Sequence, residues 1–359
     1  MKGNSKRTLV LSKNDIQEII LHNGLNRIMD MTIERLESAI LSFSENETDI
    51  PSRAGFHYEL PQSGLVEWMP LYQKGHQVMI KVVGYHPANP ETYGFPTIVS
   101  TMYAYDTNTG HLMGITDGVI LTALRTGAAS AIASKYLANP DSKVMGMIGC
   151  GAQAVTQLHA LSRLFKIERV LIFDTDHDAM HSFNERCETL DLGINAELSD
   201  IETIVKEAEI LCTATSIDVG SGPLFDRLTT RSYLHINAVG SDFPGKVELP
   251  KSLLMESFVC PDFIDQALKE GECQQLEQAD IGPSIIEVVK SPADFTHVKN
   301  QRSVFDSTGW ALEDQVVMEL FLDLGKKLGL GVEIEIESLS EDAKNPYHFL
   351  NKEILKSLS

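Results

Sequence analysis

The hydrophobic pattern divides the chain into blocks of different period. Residues 8–11, Thr-Leu-Val-Leu, read as a short strand. Ser12 is placed to cap a helix, "KNDIQEIILHNG", that stops at Asn23-Gly24. A second helix follows in "TIERLESAILSFSE", where Ile33, Leu36, Ile40 and Leu41 form one stripe. From 51 to 116 the period shortens. "GLVEWMPLY", "HQVMIKVVGYH", "GFPTIVSTMYAYD" and "GHLMGITDG" are strand-like and separated by Gly, Pro and Asn turns, with "DTNTG" at 106–110 as a hairpin turn. Strands in succession without helices between them predict an antiparallel or mixed sheet.

Residues 118–138 are helical and rich in alanine, a composition suited to close packing between helices or domains. A strand–helix alternation starts at 143: "KVMGMIG", "AQAVTQLHALSRLF", "ERVLIFD", "HDAMHSFNERCETL", "INAELS", "DIETIVKEAE", "ILCTATS" and "YLHINAVGS". It predicts a parallel sheet wound with helices. The tail offers one long helix, "ALEDQVVMELFLDLGKKLG", which is expected to cross back to the first block. The fold class expected is therefore α/β: a Rossmann-type doubly wound parallel sheet domain at 129–309, plus a discontinuous α+β substrate-binding and dimerisation domain at 1–128 and 310–359.

Composition narrows the partners. At 359 residues and 43% hydrophobic content the chain suits two domains. Asp and Glu number 50 against 30 Lys and Arg, a formal charge of −20, so a nucleic-acid partner is not expected. The five cysteines are widely spaced and include no C-x-x-C, which argues against disulfides and structural zinc. No cleavable leader pattern and no apolar run of membrane length is evident, so a cytoplasmic protein is expected.

The strongest chemical signal is "MIGCGAQAVTQ" at 147–157. Gly149, Gly151 and Ala154 occupy G-x-G-x-x-G/A between a strand and a helix, the context of a dinucleotide loop. Gly149 allows the tight turn, Gly151 the close approach of a pyrophosphate, and Ala154 the packing of the helix. Ala152 and Gln153 open that helix and join the cofactor candidates. Asp174 closes the second strand about 20 residues on, where a carboxylate binds ribose hydroxyls and repels a 2′-phosphate. No Arg follows within 175–178, so NAD is favoured over NADP. Thr213, Thr215 and Val239, at later strand ends, are candidates for the nicotinamide side.

"IGCGAQA", "ALRTGAASAIASKYLA", "INAVGSDFPGKVELP", "GECQQL" and "VFDSTGWALED" together resemble the ornithine cyclodeaminase and mu-crystallin family, over residues 8–345 and in family order. The cyclodeaminase branch is the nearer one. The resemblance implies a homodimer whose first domain holds the substrate. By the same resemblance Arg53, Lys81 and Arg125 bind a substrate carboxylate, and Glu67 and Thr97 match site positions. Arg53 and Arg125 could instead form surface or interdomain ion pairs. Glu67 could hold Lys81, hold a water, or be an exposed strand carboxylate, and Thr97 could be an ordinary β-branched strand residue.

Asp242, after an apolar strand, is implied to accept a proton from the substrate α-amine; the bland alternative is a turn cap before Phe243-Pro244. Lys246 is its charge partner and a cofactor-side candidate. Ser307 and Thr308 line the nicotinamide end or cap a helix. The implied reaction is redox-neutral: ornithine loses hydride at Cα, the δ-amine closes on that carbon, ammonia leaves, and hydride returns to give proline. Lysine cyclisation, net amino acid dehydrogenation or ketimine reduction, and a non-catalytic NAD-binding role are the alternatives. No metal site is expected; His177 and His181, four residues apart, lack a third ligand. Cys150 reads as a small packed side chain, and His86 as a turn residue or a substrate contact.

Overall fold

The computed structural model describes residues 7–226, 229–340 and 342–350. The extreme ends of the two expected segments of the first domain, 1–6 and 351–359, lie outside them. Helix α1 (Lys13–Asn23) starts at Ser12, whose hydroxyl accepts from Asp15 N while the Asp15 carboxylate accepts from Ser12 N at 2.8 Å. This reciprocal box ties down two N–H groups that have no helical partner. Gly24, with φ of 85°, ends α1 and turns the chain at once into α2 (Leu25–Ser42). Helix α2 begins before Thr32 because Ile28 and Met29 extend the buried stripe of Ile33, Leu36 and Ile40.

The first sheet contains β1 (Thr8–Leu11), β2 (Thr48–Asp49), β3 (Ala54–Tyr58), β4 (Gly64–Gln73), β5 (Gln77–Tyr85), β6 (Ile98–Asp106) and β7 (Leu112–Asp117). Strands β4 to β7 form an antiparallel meander; β2 and β3 both pair with β4, and β1 joins β7 in parallel. The sheet is therefore mixed. Strand β3 was not legible in the sequence: its five residues are exposed or half-buried and carry no alternation.

Helix α3 (Val119–Leu137) is buried round most of its circumference, which explains its small residues. A side chain at Gly127 would place a Cβ 2.5 Å from the carbonyl oxygen of Thr156, so the backbone of α3 lies directly against α4 (Ala152–Leu164).

The second sheet takes β8 (Val144–Ile148), β9 (Arg169–Phe173), β10 (Ala196–Leu198), β11 (Ile210–Thr213), β12 (His235–Ala238), β13 (Phe258–Pro261) and β14 (Ser303–Asp306). All its pairings are parallel, in the order β10-β9-β8-β11-β12-β14-β13. The order reverses between β8 and β11, the place where such sheets bind ligands. Strands β13 and β14 are four residues each and fully or nearly buried, too short for a period to identify them. The helix expected at 177–190 is two short helices, 177–181 and 183–187, followed by a 3₁₀ turn.

Helix α5 (Ala311–Leu328) then packs on α2, α3, β4 and β5, and β15 (Val332–Ile334) pairs with β1. Among the described residues, no helix is long and apolar enough to cross a membrane.

Because backbone, rather than a yielding side chain, faces Gly127, the substitution Gly127→Val should destabilise the fold by about 1–3 kcal/mol, the usual cost of overpacking a tight core. A denaturant-unfolding midpoint equal to that of the unmodified protein would show that the two helices can part freely.

Candidate active site

A cavity of ≈ 380 Å³ lies between the two sheets, with Arg53, Lys81, Arg125, Glu67 and Asp242 among its walls. Lys81 sits in β5 opposite Met69 of β4 and Met102 of β6, on the inner face of the sheet. It is 1% exposed. An ammonium so placed is very costly without a partner. The partner is Asp314, whose Oδ2 lies 2.7 Å from Nζ. The other Asp314 oxygen accepts from Arg125 Nε at 3.1 Å, and Arg125 Nη1 donates to Glu313 at 2.6 Å. Glu313 and Asp314 stand in the first turn of α5, where the helix dipole favours negative charge. Arg53 pairs with Glu270 at 2.9 Å and donates to the carbonyls of Thr308 and Gly309.

Burial draws Lys81 down to about 8, and neighbouring Arg125 adds to the effect while Asp314 opposes it. Burial likewise pushes Glu313 and Glu270 up to about 8, with Arg125 and Arg53 respectively holding them back. Burial also works against Arg125's charge, but Asp314 and Glu313 outweigh it and the guanidinium stays firmly charged.

Glu67 does not hold Lys81. Its Oε1 meets His57 Nε2 at 3.1 Å, and Lys81 turns to α5 instead. Asp242 lies after β12 and receives Lys246 Nζ at 2.8 Å. Lys246 Nζ in turn lies 5.1 Å from the centre of the Tyr85 ring. The Asp242 side chain is 35% exposed, open to the cavity while anchored by one charge. Thr97 precedes β6 and is not among the cavity's wall residues; its carbonyl accepts from His86 N. His86 bonds the Tyr58 hydroxyl at 2.7 Å.

The glycine loop leads from β8 into α4. Gly149 has φ of 94°, and a Cβ there would meet Ala214 O at 2.6 Å, so glycine is required on both counts. Gly151 is the N-cap of α4, makes no side-chain cap bond, and has open space where a Cβ would stand. The first amides of α4 are thus left without a side-chain cap and open to an anion. Asp174 accepts from Cys150 N at 2.6 Å and Asp176 N at 2.9 Å, and its remaining lone pairs suit ribose hydroxyls. These residues fit a dinucleotide without a 2′-phosphate. The Cys150 thiol is buried and pushed up to about 12 by that burial, with Asp174 adding to it, so it is no nucleophile.

Of the other cofactor candidates, Gln153, Val239, Lys246 and Ser307 line the cavity. Thr213 and Thr215 are differently engaged: their hydroxyls donate to the two oxygens of Glu248 at 2.6 and 2.7 Å. Glu248 also accepts from Thr215 N and Gly240 N, pinning the ends of β11 and β12 to one buried carboxylate. Ser307 and Thr308 cap no helix, since the N-cap of α5 is Trp310; the Thr308 hydroxyl donates to Asp262. The rings of His177 and His181 stack 6.4 Å apart.

Sequence reasoning missed Glu313, Asp314 and Glu270, and also Thr122, whose buried hydroxyl has no partner among the described residues and lines the cavity, as does that of Ser307. The available signal was a pair of consecutive acids opening the last helix, set against three cations for which only Glu67, beside Lys81, was a candidate partner.

Comparison with known proteins identifies the family and the fold. The model of the Ornithine cyclodeaminase/mu-crystallin family matches residues 13–325. An L-lysine cyclodeaminase of Streptomyces rapamycinicus is 40% identical over 342 residues, 95% of this chain and 99% of that protein. A solved lysine cyclodeaminase, studied for recognition of L-lysine, L-ornithine and L-2,4-diaminobutyric acid, is 44% identical with a TM-score of 0.92, covering 96% of this chain and 99% of that one. An archaeal alanine dehydrogenase dimer with bound NAD is 30% identical with a TM-score of 0.81, covering 92% and 100%.

The loop geometry makes a direct prediction. Asp174→Ala should weaken NAD binding about tenfold or more, the loss expected of charge-assisted bonds worth about 1.5–3 kcal/mol. Calorimetric titration with NAD that finds unchanged affinity would remove Asp174 from the ribose.

Proposed function

The chain belongs to the ornithine cyclodeaminase/mu-crystallin family, and on that premise we propose that it is an NAD-dependent cyclodeaminase of an L-α,ω-diamino acid. The observation that carries this reading is the polarity of the cavity. Its walls carry the cations Lys81, Arg125 and Arg53 together with the acids Glu67, Asp242, Glu59 and Asp218. A carboxylate fits the first set and amines fit the second. Ornithine, suggested by the sequence motifs, and lysine both meet these demands. One methylene is worth only about 1–3 kcal/mol of discrimination. Lysine is favoured by the 40% identity to a lysine cyclodeaminase; the product would then be L-pipecolate rather than L-proline.

The loop 149–154, Asp174 and the hydroxyl of Ser307, which has no partner among the described residues, would hold the cofactor. When bound, NAD+ supplies a reversible hydride acceptor for the substrate's Cα. The chain's own residues do the rest. Lys81 and Arg125 fix the carboxylate, and the restraint lowers the entropy cost of reaching reactive geometry. Asp242, held ready by Lys246, takes the proton that the α-ammonium must lose. Closure of the distal amine on the resulting imine expels ammonia, and the walls of the cavity limit competition from water.

The first domain, residues 1–128 with 310–359, is read as the substrate and dimerisation unit, and 129–309 as the NAD unit. Trp68 and Tyr72 of β4 and Val99 of β6 are exposed on the outer sheet face, beside Phe56 of β3. An outer face of this kind is apolar where a solvated antiparallel sheet would be polar. It supports a homodimer, the assembly in which the related alanine dehydrogenase was solved.

Incubation with lysine or ornithine and a substoichiometric amount of NAD+ should give ammonia and a cyclic imino acid, with no lasting NADH absorbance. Accumulation of NADH in step with substrate would assign a dehydrogenase instead. Asp242→Asn should lower turnover at least about a hundredfold, the scale of one general base, with NAD affinity within a few fold. An active variant would end the assignment of Asp242.

A further inference from the structure

Three cations and four acids meet at the carboxylate end of the cavity. The cations are Arg53, Lys81 and Arg125; the acids are Asp262, Glu270, Glu313 and Asp314. With all seven groups ionised, the cluster carries one more negative than positive charge before a ligand enters. A substrate carboxylate adds another and competes for the same donors on Lys81 and Arg125. In a dry site such an excess is relieved by protonating an acid whose cationic partner the ligand takes.

The four acids differ in support. Asp314 faces both Lys81 and Arg125. Asp262 accepts from Gly309 N, Phe263 N and the Thr308 hydroxyl. Glu270, whose Oε1 forms no hydrogen bond among the described residues, lies against Arg53 and not against Arg125. Glu313, 1% exposed, accepts a single hydrogen bond among the described residues, from Arg125 at 2.6 Å. It is faced by Arg125 from α3, Asp314 from its own helix and Asp262 from beyond β13, with Lys81 of β5, Arg53 and Glu270 in the same cluster.

We infer that Glu313 is a positioning residue with a switchable charge: entry of an amino acid carboxylate beside Arg125 is coupled to protonation of Glu313. The neutral acid keeps a carbonyl oxygen to accept the Arg125 N–H, so the guanidinium stays aimed while its charge is released to the ligand. Burial, which already pushes Glu313 up to about 8, places this exchange above that pH, where the free protein holds the acid ionised. With Glu313 ionised at higher pH, Arg125 is neutralised and carboxylate affinity falls. The inference rests on the amino-acid reading of the cavity.

The test uses the full chain loaded with NADH, which cannot accept hydride, and L-norleucine, an amino acid without a distal amine. Calorimetry at pH 8.5 to 9 in two buffers of different ionisation enthalpy reads the protons taken up. The unmodified protein should take up a fraction approaching about one proton per chain. The infrared difference spectrum on binding should gain a protonated-carboxyl band. Glu313→Gln, which imitates the neutral acid, should bind norleucine within a few fold while losing most of the uptake and the band. Binding with neither uptake nor band in the unmodified protein would overturn the inference while leaving the amino-acid site intact. Equal uptake in Glu313→Gln would overturn it as well and move the titration to Lys81. Failure of the unmodified protein to bind norleucine would remove the amino-acid reading and this inference together.

Discussion

The ammonium of Lys81 and the guanidinium of Arg125 share one buried carboxylate, Asp314. That contact joins three remote parts of the chain: a strand of the first sheet, the helix between the sheets, and the last helix. Removing Asp314 leaves uncompensated buried positive charge, a loss of about 3–5 kcal/mol. The constraint explains why the last helix returns to the first sheet. Only there can the acids in its first turn neutralise cations that the cavity needs but water cannot reach. It also accounts for the late position of the glycine loop, since the three cavity cations precede it and only the acids that answer them follow.

The second sheet solves a parallel problem with buried acids. Glu248 binds both threonine hydroxyls and two amides at the ends of β11 and β12. Glu272 accepts from the amides of Glu248 and Leu249 and from the Ser241 hydroxyl. Asp306 accepts from the amides of Glu272 and Cys273. Each carboxylate collects loop donors that no strand could satisfy, so the wall carrying Val239 and Asp242 is rigid. A rigid wall is what a reaction dependent on alignment requires.

Much of this was legible because it is local. The cap at Ser12, the four strands between 64 and 117, the alanine-rich α3 and the loop at 149–154 are each set by residues within a few positions of one another. The cations could be named from their motifs, and so could the Asp242–Lys246 pair, four residues apart. Partners distant in sequence were not legible. Nothing near Lys81 names Asp314, and Glu67, two strand positions from the residue opposite Lys81, was the plausible wrong choice. Thr213 and Thr215 stand at the right strand ends, but a periodic pattern does not say which way a hydroxyl turns, and Glu248 claims both. Strands β3, β13 and β14 were hidden because short strands carry too few residues to display a period.

The central claim is that the cavity is built around a carboxylate. Its most direct test compares L-norleucine with n-pentylamine, which keeps the side chain and amine but lacks that group, binding to the NADH-loaded protein at pH 7. A carboxylate gripped by two buried cations predicts affinity at least about a hundredfold higher for norleucine, near 3 kcal/mol. Equal affinity for the two would contradict the account, because Lys81 and Arg125 would then have some other purpose.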